Sequence, residues 1–412
     1  MGAGAGRGAA IVRAGSGVAF HFLDMLQTYT IAMMNRHRPQ ILLTEQQKRI
    51  LWQLRIGGPS PRIQLAETLG MNGASMTRMT QQLIALGVVE EQDSQGAATR
   101  GRPMVPLAIS GHGGWAVGAT VHPGWLELVL VDFSGKPLIR DSLRFDSPDP
   151  LVFARTLDAR LRALAADHGF MRGRFLGVGV AVPGYRIRGD RNHRQVVDRL
   201  SGWSDVPLAE MLGDVLGMAV WIENDATAAA LAEFYQKDII GRYRSVLVLF
   251  LGHGIGAGLI AERDLFAGEH GNAGEVGRLF PTGQPRPSGI DLLHLLQAAG
   301  EAIESLSEID AVQARHAPLI ADWIERVARQ LDYAVITGTV WLDPGAVVIS
   351  GALPLAILER LAVRIDHLVA ARDADYRGEI PKVHASPIGS SAVVIGAALA
   401  PIHAVTAPSN GG

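Results

Sequence analysis

Apolar residues between positions 44 and 86 recur at spacings of three and four, which predicts three short helices. Thr44 is placed to cap the first helix, and Ser60 followed by Pro61 is placed to open the second. Asn72 is placed to cap the third. Glycines end the first two helices, so this segment has the start and stop signals of a small helical unit.

The third helix, predicted over residues 73–86, has two unlike faces. Apolar side chains share the inward face: Met76, Met79, Leu83 and Leu86. Small, polar and basic side chains share the outward face: Ser75, Thr77, Arg78 and Gln81. The pattern predicts a helix-turn-helix whose last helix enters a DNA major groove with this outward face. A purely structural three-helix bundle is the alternative.

Two strand-like runs follow at residues 88–91 and 104–107, separated by a polar, glycine-containing loop. Such a pair is typical of the hairpin that forms the wing of a winged helix-turn-helix. Arg100 and Arg102 flank a glycine in the loop, where they are suited to phosphate contact or to a narrow minor groove. The loop arginines alone would equally fit a solvated turn, but behind a helix-turn-helix they favour DNA binding.

From Trp115 onward the chain alternates between strand-like and helical runs, which predicts an α/β architecture with both faces of its sheets covered. The predicted strands are 125–131, 176–182, 245–251 and 346–350, and the predicted helices include 151–168 and 226–235.

Composition narrows the class of protein. The chain has 412 residues, 48% of them hydrophobic and 19% charged, which favours two or three globular domains. It has no cysteine, so disulfides and thiolate metal sites are excluded. Residues 1–110 hold eleven Lys and Arg against six Asp and Glu, whereas the remainder is acidic. A basic N-terminal region suits a polyanionic partner, although such an excess also occurs in proteins that bind nothing charged.

Residues 1–40 begin with a Gly/Ala-rich stretch and continue with an apolar run that polar residues interrupt. The interruptions, among them His21 and Asp24, argue against a membrane span, and no cleavage site of a signal peptide follows. We therefore predict a flexible or helical leader and no membrane association.

Four stretches of the C-terminal region carry the most specific signal: Val182-Pro183-Gly184, Glu223-Asn224-Asp225, the glycine-rich Gly252–Gly258, and Gly268–Arg278. With the winged domain before them, these stretches resemble the ROK family of repressors, open reading frames and sugar kinases, in its repressor branch. The resemblance covers the chain from about residue 44 to residue 400. It implies a two-lobed actin-like ATPase fold over residues 111–412, behind a winged helix-turn-helix domain over 41–110 and the leader over 1–40.

The resemblance also implies a sugar site. Asp225 matches the general base of the family's kinases, with Asn224 beside it, and Glu275 matches a sugar-contacting glutamate. Carboxylate and amide groups suit vicinal hydroxyls because they supply acceptors and donors together. Without the flanking motifs, Asn224-Asp225 would be read as an ordinary helix cap.

The phosphate side of the family pattern is altered. Thr120 stands where the kinases have an aspartate, and His122 and Pro123 fall at or near the glycines of their first phosphate loop. Proline removes a backbone donor and a bulky ring blocks close approach of phosphate. His253 replaces the usual threonine of the second loop. We therefore predict no catalytic residue and no cofactor, with Asp225 catalytic only if the chain is a kinase.

The family's zinc site is missing as well, because Arg278 takes the position of its histidine and the chain has no cysteines. We predict no metal. The chain is predicted to be a cytoplasmic, sugar-responsive regulator that forms a homodimer or a dimer of dimers on its operator DNA. A sugar kinase with an accessory DNA domain, or a regulator that responds to a protein partner, are the alternatives.

Overall fold

The structure is a computed structural model that describes residues 41–93, 104–169, 174–187, 190–281, 283–372 and 375–409, all within one compact unit. The predicted leader over residues 1–40 lies outside the described residues.

Three helices open the described chain, as the spacing of apolar residues predicts. They are α1 (Glu45–Gly57), α2 (Arg62–Leu69) and α3 (Gly73–Ala85). Thr44 caps α1 in a reciprocal box with Gln47, and the Asn72 side chain accepts a hydrogen bond of 2.8 Å from the backbone N–H of Ser75. Both predicted caps are confirmed.

The predicted cap of the second helix is wrong. Ser60–Pro61 form a short strand, β1, and the Ser60 hydroxyl donates to the carbonyl of Gly58 instead of capping the helix. Pro61 occupies the N-cap position without a side-chain bond, so α2 begins at Arg62. The reason is tertiary, because Ser60 pairs with Leu107 of a distant strand and its backbone is committed to a sheet.

That sheet is antiparallel, in the order β1-β3-β2, with β2 at Val89–Glu91 and β3 at Pro106–Ile109. The predicted hairpin is therefore present, but its second strand begins two residues later than the pattern indicates. Val89 pairs with Ile109 and Glu91 with Leu107, which places β3 between the other two strands.

A five-stranded sheet in the order β10-β7-β4-β5-β6 forms the first lobe of the remaining chain. Its strands and the separate hairpin β8–β9 are β4 (Trp115–His122), β5 (Trp125–Asp132), β6 (Pro137–Arg144), β7 (Phe175–Ala181), β8 (Gly184–Ile187), β9 (Asp190–Val196) and β10 (Val220–Glu223). Helices α4 (Pro150–Asp167) and α5 (Leu208–Leu216) bury apolar side chains against this sheet.

The second lobe holds another five-stranded sheet, in the order β13-β12-β11-β14-β15. Its strands are β11 (Val246–Leu251), β12 (Ile255–Ala261), β13 (Asp264–Leu265), β14 (Ala346–Gly351) and β15 (Lys382–Ala385). The helices of this half of the chain are α6 (Asp225–Phe234), α7 (Lys237–Ile240), α8 (Gly289–Ala298), α9 (Ile309–Val312), α10 (Ala317–Leu342), α11 (Leu355–Arg372) and α12 (Ala392–Thr406). The α/β class is confirmed.

Helices α6 and α12 lie against each other and share one apolar core with the first lobe and with helices α1 to α3. Glycines allow the closest approaches, since a Cβ on Gly118 of β4 would lie 2.0 Å from the carbonyl oxygen of Val394 in α12. Among the described residues, one helical stretch, Gly389–Thr406, is long and apolar enough to cross a membrane, but 78% of it is buried within the protein. It is therefore the core helix of this fold.

Candidate functional site

The outward face of α3 is arranged as its sequence predicts. Thr77, Arg78 and Gln81 are exposed and Ser75 is half-buried, while Met76, Met79 and Leu83 are buried below them. Arg78 makes no hydrogen bond or ion pair among the described residues, so its charge is available at the surface. Arg100 and Arg102, predicted in the wing, lie outside the described residues.

Arg62 fixes α3 against its neighbours, a role that the sequence did not reveal. Its Nε donates to the hydroxyl of Thr80 on α3 at 3.0 Å, and its Nη2 lies 2.7 Å from the carboxylate of Glu91 on β2. One guanidinium thus joins helix α2, helix α3 and the sheet, and it holds the outward face of α3 in one orientation.

Asn224 is the N-cap of α6, and most of its side chain is used within the protein. Its Oδ1 accepts from the backbone N–H of Ala226 at 2.8 Å, and its Nδ2 donates to the carbonyl of Gly184 on β8 at 2.7 Å. The amide therefore keeps one N–H and one lone pair for a ligand. Asn224 ties the start of α6 to the β8–β9 hairpin.

Asp225 is the first residue of α6, and its Oδ1 is shielded from solvent without any hydrogen-bond partner in the described structure. Burial raises the pKa of Asp225 to about 6, although the charges of His122, Arg199 and Arg194 favour the ionised carboxylate. A shielded carboxylate oxygen without a partner is costly unless a ligand satisfies it.

Arg194 of β9 is a site residue that the sequence analysis missed. It is buried, its Nη2 donates to the carbonyl of Ile222 at 3.1 Å, and its charge acts on both Asp225 and Glu275. Burial raises the pKa of Glu275, and Arg194 opposes the rise. The guanidinium charge therefore acts on Glu223 and on both predicted carboxylates.

The loop that carries Glu275 is fastened to the same hairpin. Asn272 accepts from the backbone N–H of Arg186 at 2.7 Å and donates to the carbonyl of Arg186 at 2.9 Å. Glu275 follows three residues later and precedes a short 3-10 helix. The β8–β9 hairpin thus gathers two site segments that are far apart in sequence, through Asn224 on one side and Asn272 on the other.

The segment expected to match the family's first phosphate loop has a different structure. Thr120 is buried in β4, where its hydroxyl donates to the carbonyl of Ala181 at 3.2 Å. His122 is the last residue of β4, and its Nε2 lies 3.3 Å from the carboxylate of Glu127. Burial lowers the pKa of this imidazole, but the Glu127 carboxylate opposes burial and the pKa is raised overall. Pro123 and Gly124 then make a tight turn into β5, since His122 pairs directly with Trp125.

The glycines of the second loop pack against α6. A Cβ on Gly258 would lie 2.3 Å from the Cβ of Ala230, and one on Gly256 would lie 2.8 Å from the Cβ of Ala226. Gly254, by contrast, has no atom within 4 Å of such a Cβ, and His253 beside it is exposed. Close helix packing therefore accounts for two of these glycines without any bound phosphate.

Comparisons with known proteins identify relatives of this chain. The chain is 31% identical over 342 residues to the uncharacterized protein y4fQ of Sinorhizobium fredii, which covers 82% of this chain and 86% of that protein. It is 25% identical over 236 residues to the xylose repressor of Bacillus spizizenii, which covers 57% of this chain and 59% of the repressor.

Solved structures share the fold. A ROK family transcriptional regulator, described as a homologue of the E. coli MLC protein, has a TM-score of 0.67 at 22% identity and covers 88% of this chain and 96% of its own. A ROK family glucokinase from Streptomyces griseus, solved with glucose and AMPPNP, has a TM-score of 0.54 at 21% identity. The match covers 69% of this chain and 98% of the glucokinase. The fold of the two lobes is therefore the actin-like ATPase fold of these proteins. The model of the ROK family matches residues 126–402, and this chain belongs to that family.

Proposed function

We propose that this protein is a transcriptional regulator that binds operator DNA with its N-terminal domain and a small sugar or sugar derivative in the cleft of its two lobes. The observation that carries the proposal is a contrast between two segments: Asp225 has a shielded oxygen without a partner in the described structure, whereas the segment expected to be the first phosphate loop is a tight turn in which His122 pairs directly with Trp125. The name of the related xylose repressor supports a repressor of a carbohydrate uptake or catabolic operon.

The DNA-binding domain of this proposal spans residues 41–110 and is a winged helix-turn-helix. Helices α2 and α3 are its helix-turn-helix, and the β1-β3-β2 sheet is the base of its wing. Ser75, Thr77, Arg78 and Gln81 contact base edges or phosphates from α3, and Arg100 and Arg102 contact DNA from the wing.

The ligand-binding domain spans residues 111–412. Asp225 and Glu275 accept hydrogen bonds from ligand hydroxyls, and the remaining N–H of Asn224 donates one. Because Asp225 has a shielded oxygen without a partner, binding a hydroxyl there removes an unfavourable feature of the ligand-free protein. The proposed regulator is cytoplasmic, acts as a homodimer, or as a dimer of dimers, and needs no metal and no cofactor.

The experiment begins by selecting the DNA fragments that the purified protein binds from a genomic library. Wild type is then compared with Arg78→Ala, and with Arg360→Ala as a control, because Arg360 is also an exposed arginine and lies on α11 of the second lobe. Loss of a base contact by Arg78 should weaken binding by about 1 to 3 kcal/mol in a sequence-dependent manner. Equal affinity of Arg78→Ala and Arg360→Ala would contradict the assignment of the DNA face.

The same DNA is titrated in the presence of D-xylose, D-glucose or N-acetyl-D-glucosamine. A sugar that binds the proposed site should change the affinity of the protein for DNA. Asp225→Ala and Glu275→Ala should each weaken binding of that sugar by roughly 1.5 to 3 kcal/mol, as for hydrogen bonds to a charged group. A response that ignores both substitutions would place the sensing site elsewhere, and a response to a protein partner alone would favour that alternative.

A sugar kinase is the second candidate, and one observation favours it: Asp225 occupies the position of a general base, with a pKa of about 6. The proposal predicts no transfer of phosphate from ATP to the bound sugar, with or without magnesium. Turnover at an ordinary kinase rate, on the order of 1 to 100 per second, would make Asp225 catalytic and overturn the assignment as a pure sensor.

A further inference from the structure

The C-terminal half of helix α1 rests on the ligand-binding domain through one aromatic cluster. Trp52 of α1 is buried and packs edge-on against Tyr235 and His403, with ring centroids 6.3 and 5.5 Å apart. The Tyr235 hydroxyl lies 3.1 Å from Nδ1 of His403, and Nε2 of His403 lies 2.8 Å from the carboxylate of Asp264. This chain of polar contacts holds the Tyr235 ring in one orientation.

Arg55 adds a second contact between the two domains. Its guanidinium lies over the Tyr235 ring, 4.9 Å from the centroid, and donates to the backbone carbonyls of Ser134 at 2.9 Å and Phe133 at 3.2 Å. The last turn of α1 is thereby fixed to the turn after β5 and to Tyr235 at the same time.

Tyr235 is also the C-cap of α6, the helix whose other end carries Asn224 and Asp225. The proposed sugar site and the contact with the DNA-binding domain are therefore the two ends of one helix of ten residues, about 15 Å long. A displacement along or about the axis of α6 at the sugar end reaches Tyr235 without passing through a loop.

Helix α6 is closely packed against its neighbours. Gly258 of β12 and Gly396 of α12 contact it from two sides, and a Cβ on Gly396 would lie 1.7 Å from the carbonyl oxygen of Ala228. Further along α6, the buried Glu233 accepts hydrogen bonds from the hydroxyls of Ser350 and Ser386. Close-packed interiors transmit displacement because they hold few voids that could absorb it.

We propose that α6 couples sugar binding to DNA binding, with Tyr235 against Arg55 and Trp52 as the coupling contact. The proposal rests on the proposed function, since it names how the same sugar site regulates DNA affinity. A sugar bound at Asp225 favours one position of α6, that position changes how Tyr235 supports α1, and α1 carries α2 and α3 on its apolar face. The two binding events are then linked, so DNA changes sugar affinity by the same factor as sugar changes DNA affinity.

The test compares Tyr235→Leu with Tyr243→Leu. Tyr243 is a matched control because its hydroxyl also contacts a histidine, Nε2 of His384 at 3.3 Å, with the rings edge-on at 5.9 Å. Arg55→Gln is the second variant, because it removes the contact from the side of α1 without changing α6. None of these three residues belongs to the proposed DNA face or sugar site.

DNA affinity is measured with and without whichever of D-xylose, D-glucose and N-acetyl-D-glucosamine gives the largest response in wild type. That response should be roughly 5- to 150-fold in wild type and in Tyr243→Leu, as is usual for coupled sites, and should fall to less than about twofold in Tyr235→Leu and Arg55→Gln. Sugar affinity without DNA should stay within about threefold of wild type in all variants, because the sugar contacts are unchanged.

Full coupling in both Tyr235→Leu and Arg55→Gln would overturn the proposal and leave the proposed function intact. Equal loss in Tyr243→Leu would overturn it as well, since the effect would then be a general loosening of the protein. If Tyr235→Leu does not fold, Arg55→Gln decides. If no sugar changes the DNA affinity of the wild-type protein, the proposed function is overturned, and the proposed coupling with it.

Discussion

At the scale of single residues, the buried environment of Asp225 lowers the stability of the ligand-free protein and leaves a carboxylate oxygen able to accept a hydrogen bond. Its Oδ1 has no hydrogen-bond partner in the described structure, and burial raises its pKa from the ordinary 3.8 to about 6 despite the opposing effect of the nearby cations. The Asp225 carboxyl therefore binds its proton more tightly in the folded protein than in the unfolded chain. The contribution of this group to the free energy of unfolding is greatest below about pH 4.

We expect Asp225→Asn to stabilise the ligand-free protein at pH 7.5. The contribution of Asp225 is lost as pH rises from about 4 through 6, and each unit of pKa shift corresponds to about 1.4 kcal/mol, so the gain is at most about 3 kcal/mol. Urea unfolding at pH 4.5 and 7.5 measures it, and the two proteins should differ less at the lower pH.

Asp141→Asn is the matched control for this substitution. The Arg160 guanidinium binds both oxygens of Asp141 and lowers the pKa of that carboxyl, so the same change should destabilise the protein at pH 7.5. If Asp225→Asn were no more stable than wild type at pH 7.5, the surrounding arginines would already compensate fully for burial of the carboxylate.

At the scale of elements, helix α6 contacts its neighbours through small residues, both its own and those of the neighbouring elements. Its alanines meet glycines of β12 and α12, so strand and helix backbones approach more closely than ordinary side chains would allow. Packing against α6 therefore accounts for two of the glycines in the pattern that resembles a phosphate loop.

We expect Gly258→Ala to destabilise the protein and Gly254→Ala to leave it nearly unchanged. The new methyl group at position 258 would lie 2.6 Å from the carbonyl oxygen of Ala226, and overpacking of this kind costs about 1 to 3 kcal/mol. Urea unfolding of the two variants measures the difference. Equal stability would show that β12 shifts without cost and that packing does not explain Gly258.

At the scale of the whole molecule, the proposed DNA-binding domain and the first lobe share one hydrophobic core. Ile50 and Leu83 of the helices belong to the same buried cluster as Val131 of β5, Ala229 of α6 and Leu399 of α12. Arg174 joins the two parts again, because its Nη1 donates to the carbonyls of Leu86 and Gly113. The two parts of the chain are therefore packed against each other through buried side chains as well as joined by the backbone.

We expect the protein to bind DNA as a homodimer. Each chain supplies one α2–α3 pair, which reads one half-site, and a symmetric pair reads two half-sites about 10 base pairs apart. Sedimentation and footprinting on the selected DNA measure this. Adding about 5 base pairs between the half-sites should abolish binding by moving one half-site to the opposite side of the duplex. A monomer that protects one half-site would contradict the prediction.

The sequence by itself determined the features that depend on neighbours a few residues away. The caps at Thr44 and Asn72, the inward face of α3 and the α/β alternation could be read from spacing, because helices and strands are defined by local periodicity. The motifs around Asp225 and Glu275 identified the family, since their order along the chain is itself a signal.

Tertiary structure decided what depends on residues far apart in sequence. Ser60 failed as a cap because it pairs with a strand 47 positions away. Arg194 was missed because nothing near it in sequence indicates that its charge acts on Asp225 and Glu275. The contact of Arg55 with Tyr235 likewise exists only after folding. Buried charge and close packing are properties of the assembled interior, and no local pattern of residues encodes them.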